Sequence, residues 1–151
     1  MTESYAVYRD LIATAIRNDA AISALVNDEI HTSGTTSIND AWLSNTAHCC
    51  IVVTHQNRNT TGLGGVAAHG ISKHDHLMRI SVIQDPADSD TYAADVAARI
   101  RTLLEKSITV TMNAVAYQVD FTPPFKEFLV TNDQFPKRIY VILDIRAQYL
   151  G

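Results

Sequence analysis

The sequence has little of what marks a membrane, secreted or nucleic-acid-binding protein. Its longest apolar runs are Cys49–Val53 and Ile139–Leu143, whereas a membrane-spanning helix needs about 20 residues. Its first residues lack the basic and apolar regions of a signal peptide. The 12 basic and 16 acidic residues give a net charge of −4, which offers no basic surface for tight nucleic-acid binding. We therefore expect a protein that folds in the cytoplasm and does not enter a membrane.

Cysteine is also scarce. The chain has two cysteines, Cys49 and Cys50, which are adjacent in a predicted strand. Successive side chains of a strand point to opposite faces, so the two are poorly placed to form a disulfide with each other. We expect two buried free thiols, since free cysteine behaves as a small apolar side chain.

The motifs of the common enzyme classes are missing. Gly62–Gly65 lacks the Lys-Ser/Thr of a phosphate-binding loop, and no Gly-x-Ser-x-Gly nucleophile elbow occurs. Asp85, Asp88 and Asp90 resemble the start of a calcium-binding loop, but the twelfth position from neither Asp85 nor Asp88 is a carboxylate. We interpret these three acids as caps of the following helix, and we predict no catalytic residue and no cofactor.

Histidine supplies the one candidate metal site. His69, His74 and His76 are close in sequence, and His74 and His76 would share a strand face at two-residue spacing, as zinc ligands can. A closed site would need a fourth ligand, with His55 and Asp75 as candidates across the loop. Because no recognised ligand spacing is completed, we interpret the segment as a polar loop rich in histidine and predict no metal.

Length and periodicity indicate one α+β domain spanning residues 1–151, with room for one hydrophobic core. Leu77–Ile83 alternates as a strand does, and from Tyr92 the apolar residues recur at helical spacing. We expect this helix to pack on the strand. The side chains predicted to meet are Val96, Ile100 and Leu104 with Met78, Ile80 and Val82.

The other patterns predict a mainly antiparallel sheet of about five strands flanked by two or three helices. Helices are predicted at Ser4–Arg17, Ala20–Val26 and Tyr92–Lys106, and strands at Glu29–His31, Ala47–His55, Leu77–Ile83, Ile108–Met112, Val115–Val119 and Arg138–Arg146. Pro123 and Pro124 are expected to end the preceding strand pair, and Phe125–Val130 is ambiguous. The polar segment Gln56–Asp75 is predicted to be a long protruding loop, or a hairpin whose arms extend the flanking strands.

Four features occur together in this chain. They are the opening helix with its break, Tyr8–Ile30; the apolar strand Cys50–Val53 before a long polar loop; the strand and helix of His76–Leu104; and the closing strand Arg138–Ile145. In this combination the chain resembles the tail-completion, or tail-terminator, proteins of long-tailed viruses of the siphovirus or myovirus type. The resemblance implies a non-enzymatic structural protein that forms a homo-oligomeric ring, usually a hexamer, at the head-proximal end of the tail tube.

The same resemblance implies the partners and the location. Such a ring ends polymerisation of the tail tube protein, docks to the head–tail connector protein, and lets viral DNA pass through its lumen without specific binding. The protein would belong to the tail or neck of a virion and would be assembled in the host cytoplasm. Two alternatives remain: another head–tail neck or tail-tube component, and a small metal-dependent enzyme that uses the histidine-rich loop.

The long loop and the closing strand supply the predicted contact residues. In the family that the chain resembles, the loop commonly lies at subunit contacts or in the lumen. Tyr140 and Ile142 lie on the face of the closing strand away from its main apolar row, where a neighbouring subunit would cover them. The predicted interface or lumen residues are Arg58, Leu63, Val66, His69, Lys73, Tyr140 and Ile142. Arg58 and Lys73 are the only fixed cations of the loop, which argues against strong DNA binding.

Overall fold

The computed structural model describes residues 5–32, 49–63, 71–84, 91–105, 108–112, 115–132 and 138–150. Within them the helices are α1 (Tyr5–Arg17), α2 (Ala20–Val26) and α3 (Thr91–Leu104). The strands are β1 (Ile30–Thr32), β2 (Cys49–Leu63), β3 (Ile71–Gln84), β4 (Ile108–Met112), β5 (Val115–Asn132) and β6 (Arg138–Leu150). The predicted α+β class is confirmed. No helix in the described part is long and apolar enough to span a bilayer.

The six strands form one sheet in the order β1-β2-β3-β6-β5-β4. Only the short β1 runs parallel to its neighbour, and every other neighbouring pair is antiparallel. The closing strand β6 therefore lies in the middle of the sheet, between β3 and β5. Its predicted alternation follows from this position, because each face of a central strand meets a different environment.

The segment Gln56–Asp75 is a hairpin over all of its described residues. Pairing of β2 with β3 runs without a gap in the ladder from Cys49↔Gln84 to Leu63↔Ile71, apart from one bulge between His55 and Asn57. The hairpin is therefore the correct alternative for residues 56–63 and 71–75, and residues 64–70 lie outside the described ranges. These arms are polar, so their strand structure depends on the pairing itself and not on an apolar stripe.

The structure corrects the predicted end of β5. Pro123 and Pro124 do not terminate the strand; the register between β5 and β6 shifts between Thr122 and Lys126, and pairing then resumes through Asn132. Proline cannot donate to a ladder hydrogen bond, so a local irregularity replaces the expected break. The ambiguous segment Phe125–Val130 belongs to β5.

The core lies between the helices and one face of the sheet, which we call the helix face. Val96, Ile100 and Leu104 of α3 share one buried cluster with Met78, Ile80 and Val82 of β3, as predicted. The cluster also takes in Ile12 and Ile16 of α1, Ile22 and Val26 of α2, and Val141, Leu143 and Ile145 of β6. Each such buried aliphatic side chain stabilises the fold by about 1.5–3 kcal/mol.

Two side chains cap the starts of α2 and α3. Asp19 precedes α2 and accepts hydrogen bonds from the backbone N–H groups of Ala21 (3.1 Å) and Ile22 (3.2 Å), and it also accepts one from Arg99 Nε of α3 (3.0 Å). At the start of α3, the buried side chain of Gln84 accepts a hydrogen bond from the backbone N–H of Ala93 at 2.9 Å. A single glutamine thus joins the end of β3 to the first turn of the helix that covers it. The predicted caps of this helix, Asp85, Asp88 and Asp90, lie outside the described residues.

Candidate assembly surface

The sheet face opposite the helices, which we call the outer face, has an apolar end. Cys50, Val52 and Ile83 are fully buried there and form a second cluster, against which the half-buried Tyr140 packs. This cluster contains strand residues only. The predicted side of the strand for Tyr140 is therefore right, and the phenol lies beside buried apolar groups already within one chain.

Both cysteines are free and buried, as predicted. Burial, together with the nearby Cys49 and the carboxylate of Glu29, raises the pKa of the Cys50 thiol from its ordinary value to about 12. A thiol must lose its proton to act as a nucleophile. Cys50 is therefore an inert apolar group of the outer face at neutral pH.

An ion pair lies at the middle of the outer face. Arg79 and Asp144 are opposite each other on β3 and β6, and the guanidinium donates two hydrogen bonds, Nε to Oδ1 at 2.8 Å and Nη2 to Oδ2 at 3.0 Å. The side chains are 31% and 12% exposed. The hydrogen bond that Arg79 donates to Asp144 raises the pKa of Arg79 above its ordinary value, so the guanidinium stays charged at any physiological pH and the contact is charge-assisted.

The histidines of the candidate metal site adopt a different arrangement. His55 Nε2 and His76 Nδ1 are 2.8 Å apart and share a hydrogen bond, and His76 is fully buried at the base of the β2–β3 hairpin. His74 and His76 occupy positions of the same strand face, as predicted, whereas Asp75 falls on the opposite face and cannot join them. Within the described ranges no three His, Cys, Asp or Glu residues are grouped as a metal site requires, and His69 lies outside these ranges.

The predicted contact residues of the loop lie on the hairpin. Arg58 occupies the position opposite His76, and Leu63 is opposite Ile71 at the distal end of the described arms. Lys73 is half-buried and lies opposite Thr61 of β2. Val66 and His69 lie outside the described residues.

The predicted contact residues of β6 lie far from the hairpin. Tyr140 is opposite Ile83 and Ile142 is opposite Ser81, and both side chains are half-buried. Lys73 and Ile83 are ten residues apart on β3, a distance of about 33 Å along the strand. The structure therefore does not bring the two predicted groups together, and each would take part in a different contact.

The sequence did not reveal that most of one side of β2 has no described strand beside it. Strand β1 pairs with β2 only from Ile51 to Val53, and no other described strand lies on that side of β2 as it continues to Leu63. The backbone groups along such an edge are a template for pairing with another chain. Neither the three-residue length of β1 nor the extent of the polar arm has a signal in the sequence.

No protein-family model matches the chain, and no curated protein matches it either. By structure, 21 solved chains resemble it. One, from a structure described as the virion of a native gene transfer agent particle, is 20% identical, covers 98% of this chain and 100% of its own length, and has a TM-score of 0.59. Another is 13% identical with a TM-score of 0.61 and covers 95% of this chain and 91% of its own. At these identities the similarity establishes a common fold over nearly the whole chain.

Proposed function

We propose that the chain is a structural subunit of a virus-like particle and that it acts there as a tail terminator. Copies of the chain form a ring, most simply a hexamer, at the head-proximal end of the tail tube. The observation that carries the proposal is the fold shared, over 98% of this chain and 100% of the other, with a chain from the structure of a gene transfer agent virion. The tail-completion resemblance of the sequence pattern supports the particular position.

A ring requires two different surfaces on each subunit, which meet head to tail. The chain offers candidates that are far apart: the β2–β3 hairpin with Arg58, Leu63 and Lys73, and the outer-face end of β6 with Tyr140 and Ile142. Half-buried apolar side chains on a sheet face, and a strand edge that no described strand covers, are costly features for a protein that stays alone in solution. A neighbouring subunit covers such features in an assembly.

The remaining parts of the proposal concern the partners. The ring docks on the last layer of tail tube protein, presents its other side to the head–tail connector protein, and leaves a lumen through which DNA passes. With a net charge of −4, a subunit has no strong attraction for a passing genome. No step of this role needs a catalytic residue or a cofactor, and the location is the tail or neck of the particle.

A second candidate within the same class is another neck or tail-tube component, because the likeness to a virion chain does not specify a position in the tail. The metal-dependent enzyme is not carried forward, since His55 bonds directly to His76.

A tube-capping experiment separates the two candidates. Purified protein is added to tail tube protein during polymerisation, and tube lengths are measured by negative-stain imaging. A terminator shortens the tubes in proportion to its concentration and appears as extra density at one end only. A tube component would instead be incorporated along the tube, and a protein with no effect on length and no density on the tube would contradict both candidates.

A further inference from the structure

At each edge of the sheet, a stretch of strand has no described strand beside it. On the β2 side, β1 fills the column beside Ile51–Val53 only, and no described strand lies beside the distal arm Thr60–Leu63. On the other side the last described strand is β4, which pairs with β5 alone. Each edge thus has a short stretch of strand at which the described sheet could be extended.

The two stretches lie at the same height along the strands. Asn59 is level with Asp75, Gln148 and Asp120 across β2, β3, β6 and β5. Extending this register by one residue along the strands sets Thr60 level with Val119, and Val119 pairs with Ile108 of β4. Continued in the same way, the register places Ile108, Thr109, Val110 and Thr111 level with Thr60, Thr61, Gly62 and Leu63.

The two stretches also point in the same direction. Four antiparallel pairings separate β2 from β4, so β4 runs parallel to β2, as β1 does. A second copy that is rotated about an axis along the strands keeps its strand direction and its height. Its β4 would then enter the column beside Thr60–Leu63, beyond the end of β1 and in the same orientation as β1.

The composition of the two stretches permits this pairing. Edges that must stay unpaired are blunted by proline, lysine or bulges, and β5 contains Pro123, Pro124 and Lys126. Thr60–Leu63 and Ile108–Met112 contain no proline and no charged residue. Neither of these two stretches therefore carries the features that block pairing with another chain.

We infer that β4 of one copy adds as a parallel strand to the distal arm of β2, Thr60–Leu63, in the next copy, so that the subunit joint is a continuation of the sheet. The inference rests on the proposed ring and specifies its contact. The two edges are different, so the contact is head to tail, and it closes into a ring when the rotation between copies divides a full turn.

Disulfide trapping tests the joint in the full-length protein. The pair Thr61→Cys and Thr109→Cys occupies level positions on the two edges. Within one chain these positions are four strand spacings apart, about 19 Å, whereas a disulfide needs Cα atoms within about 7 Å. Every disulfide of this pair therefore joins two copies. The native Cys49 and Cys50 are buried and remain in place.

On mild oxidation of the assembled double variant, we expect a ladder of covalent oligomers that ends at the subunit number of the ring. The matched control is Asn57→Cys with Thr109→Cys. Asn57 lies on the same strand but four residues from Thr61, about 13 Å lower, and should give no ladder. Dimers from Thr61→Cys alone would place β2 against β2 and overturn the inference.

The outcomes separate the joint from the proposed function. Rings that are intact by light scattering but give no ladder overturn the joint and leave the ring standing. A protein that stays monomeric at every concentration overturns both. Hydrogen exchange of the unsubstituted protein provides a measurement without variants: amides of 60–63 and of 108–112 should both become protected on assembly, and unchanged exchange in either stretch contradicts the joint.

Discussion

Arg79 and Asp144 face each other across β3 and β6 and are joined by two hydrogen bonds, at 2.8 and 3.0 Å. This pair joins β6 to β3 on the outer face of the sheet, opposite the face on which the helices pack. It also neutralises the middle of the outer face, between the apolar cluster at Cys50 and the polar hairpin.

The first prediction concerns this ion pair. Replacing Asp144 by Asn should lower the free energy of unfolding by about 1–3 kcal/mol, because the half-buried guanidinium loses its charged acceptor. The exposed Arg146→Ala on the same strand is the control and should change stability by less than about 0.5 kcal/mol. A double-mutant cycle of Arg79→Met and Asp144→Asn in urea measures the coupling, and additive effects would show that the pair contributes nothing.

The second prediction concerns the helix face. Truncating the fully buried Ile100 to Ala should lower the free energy of unfolding by about 2–5 kcal/mol, because a cavity forms between α3 and the sheet. Asp95→Ala, at an exposed position of the same helix, should stay within about 0.5 kcal/mol. Equal urea midpoints for the two variants would mean that α3 does not cover the core.

The third prediction is a pH dependence. The pKa of Cys50 is raised from 9.0, its ordinary value, to about 12 in the folded chain, so between these values the unfolded state loses a proton that the folded state keeps. Stability should therefore fall as the pH rises above 9.0, by up to about 1.4 kcal/mol per pH unit from this group. The Cys50→Ala variant should lack this part of the alkaline loss; identical pH profiles for the two proteins would refute the assignment.

The fourth prediction concerns the histidines. Replacing His76 by Gln should destabilise the protein by about 1–3 kcal/mol, because a buried polar contact with His55 is lost, and bound metal should not change. His69→Gln and His74→Gln are the comparison variants, and we expect both to leave metal content unchanged. A joint loss of metal and stability in all three variants would restore the metal hypothesis that the sequence raised.

The elements that could be predicted from the sequence are those that bury one face, because their apolar residues then recur at regular spacing. The alternation at Leu77–Ile83 and the helical spacing after Tyr92 identified the strand, the helix and their contact, because each element buries one face. The break at Asn18 and Asp19 also located α2, since Asp19 caps it. Composition alone, however, left the polar arms of the hairpin ambiguous. The two arms are held together by pairing with each other, and such pairing needs no apolar alternation.

The candidate site was predicted only in part, for reasons of distance along the chain. The sequence placed Tyr140 and Ile142 on the outer face and the contact residues of the loop on the hairpin. It gave no sign that members of the two groups lie about 17 to 33 Å apart along the strands. Contacts such as His55 with His76, Arg79 with Asp144 and Gln84 with Ala93 join residues 9 to 65 positions apart. No local pattern encodes such pairs, and the shared height of β2 and β4 follows from the register of every strand between them.

The most direct test of the central claim is the size of the assembled protein, measured by multi-angle light scattering and imaged in negative stain. We expect a closed ring for the unsubstituted chain. Deletion of residues 60–70 leaves Asn59 and Asp75 paired across four remaining residues, a length that a hairpin loop tolerates, and this variant should remain folded by circular dichroism but monomeric. A monomeric unsubstituted chain at all concentrations would contradict the claim that this protein is a ring-forming structural subunit.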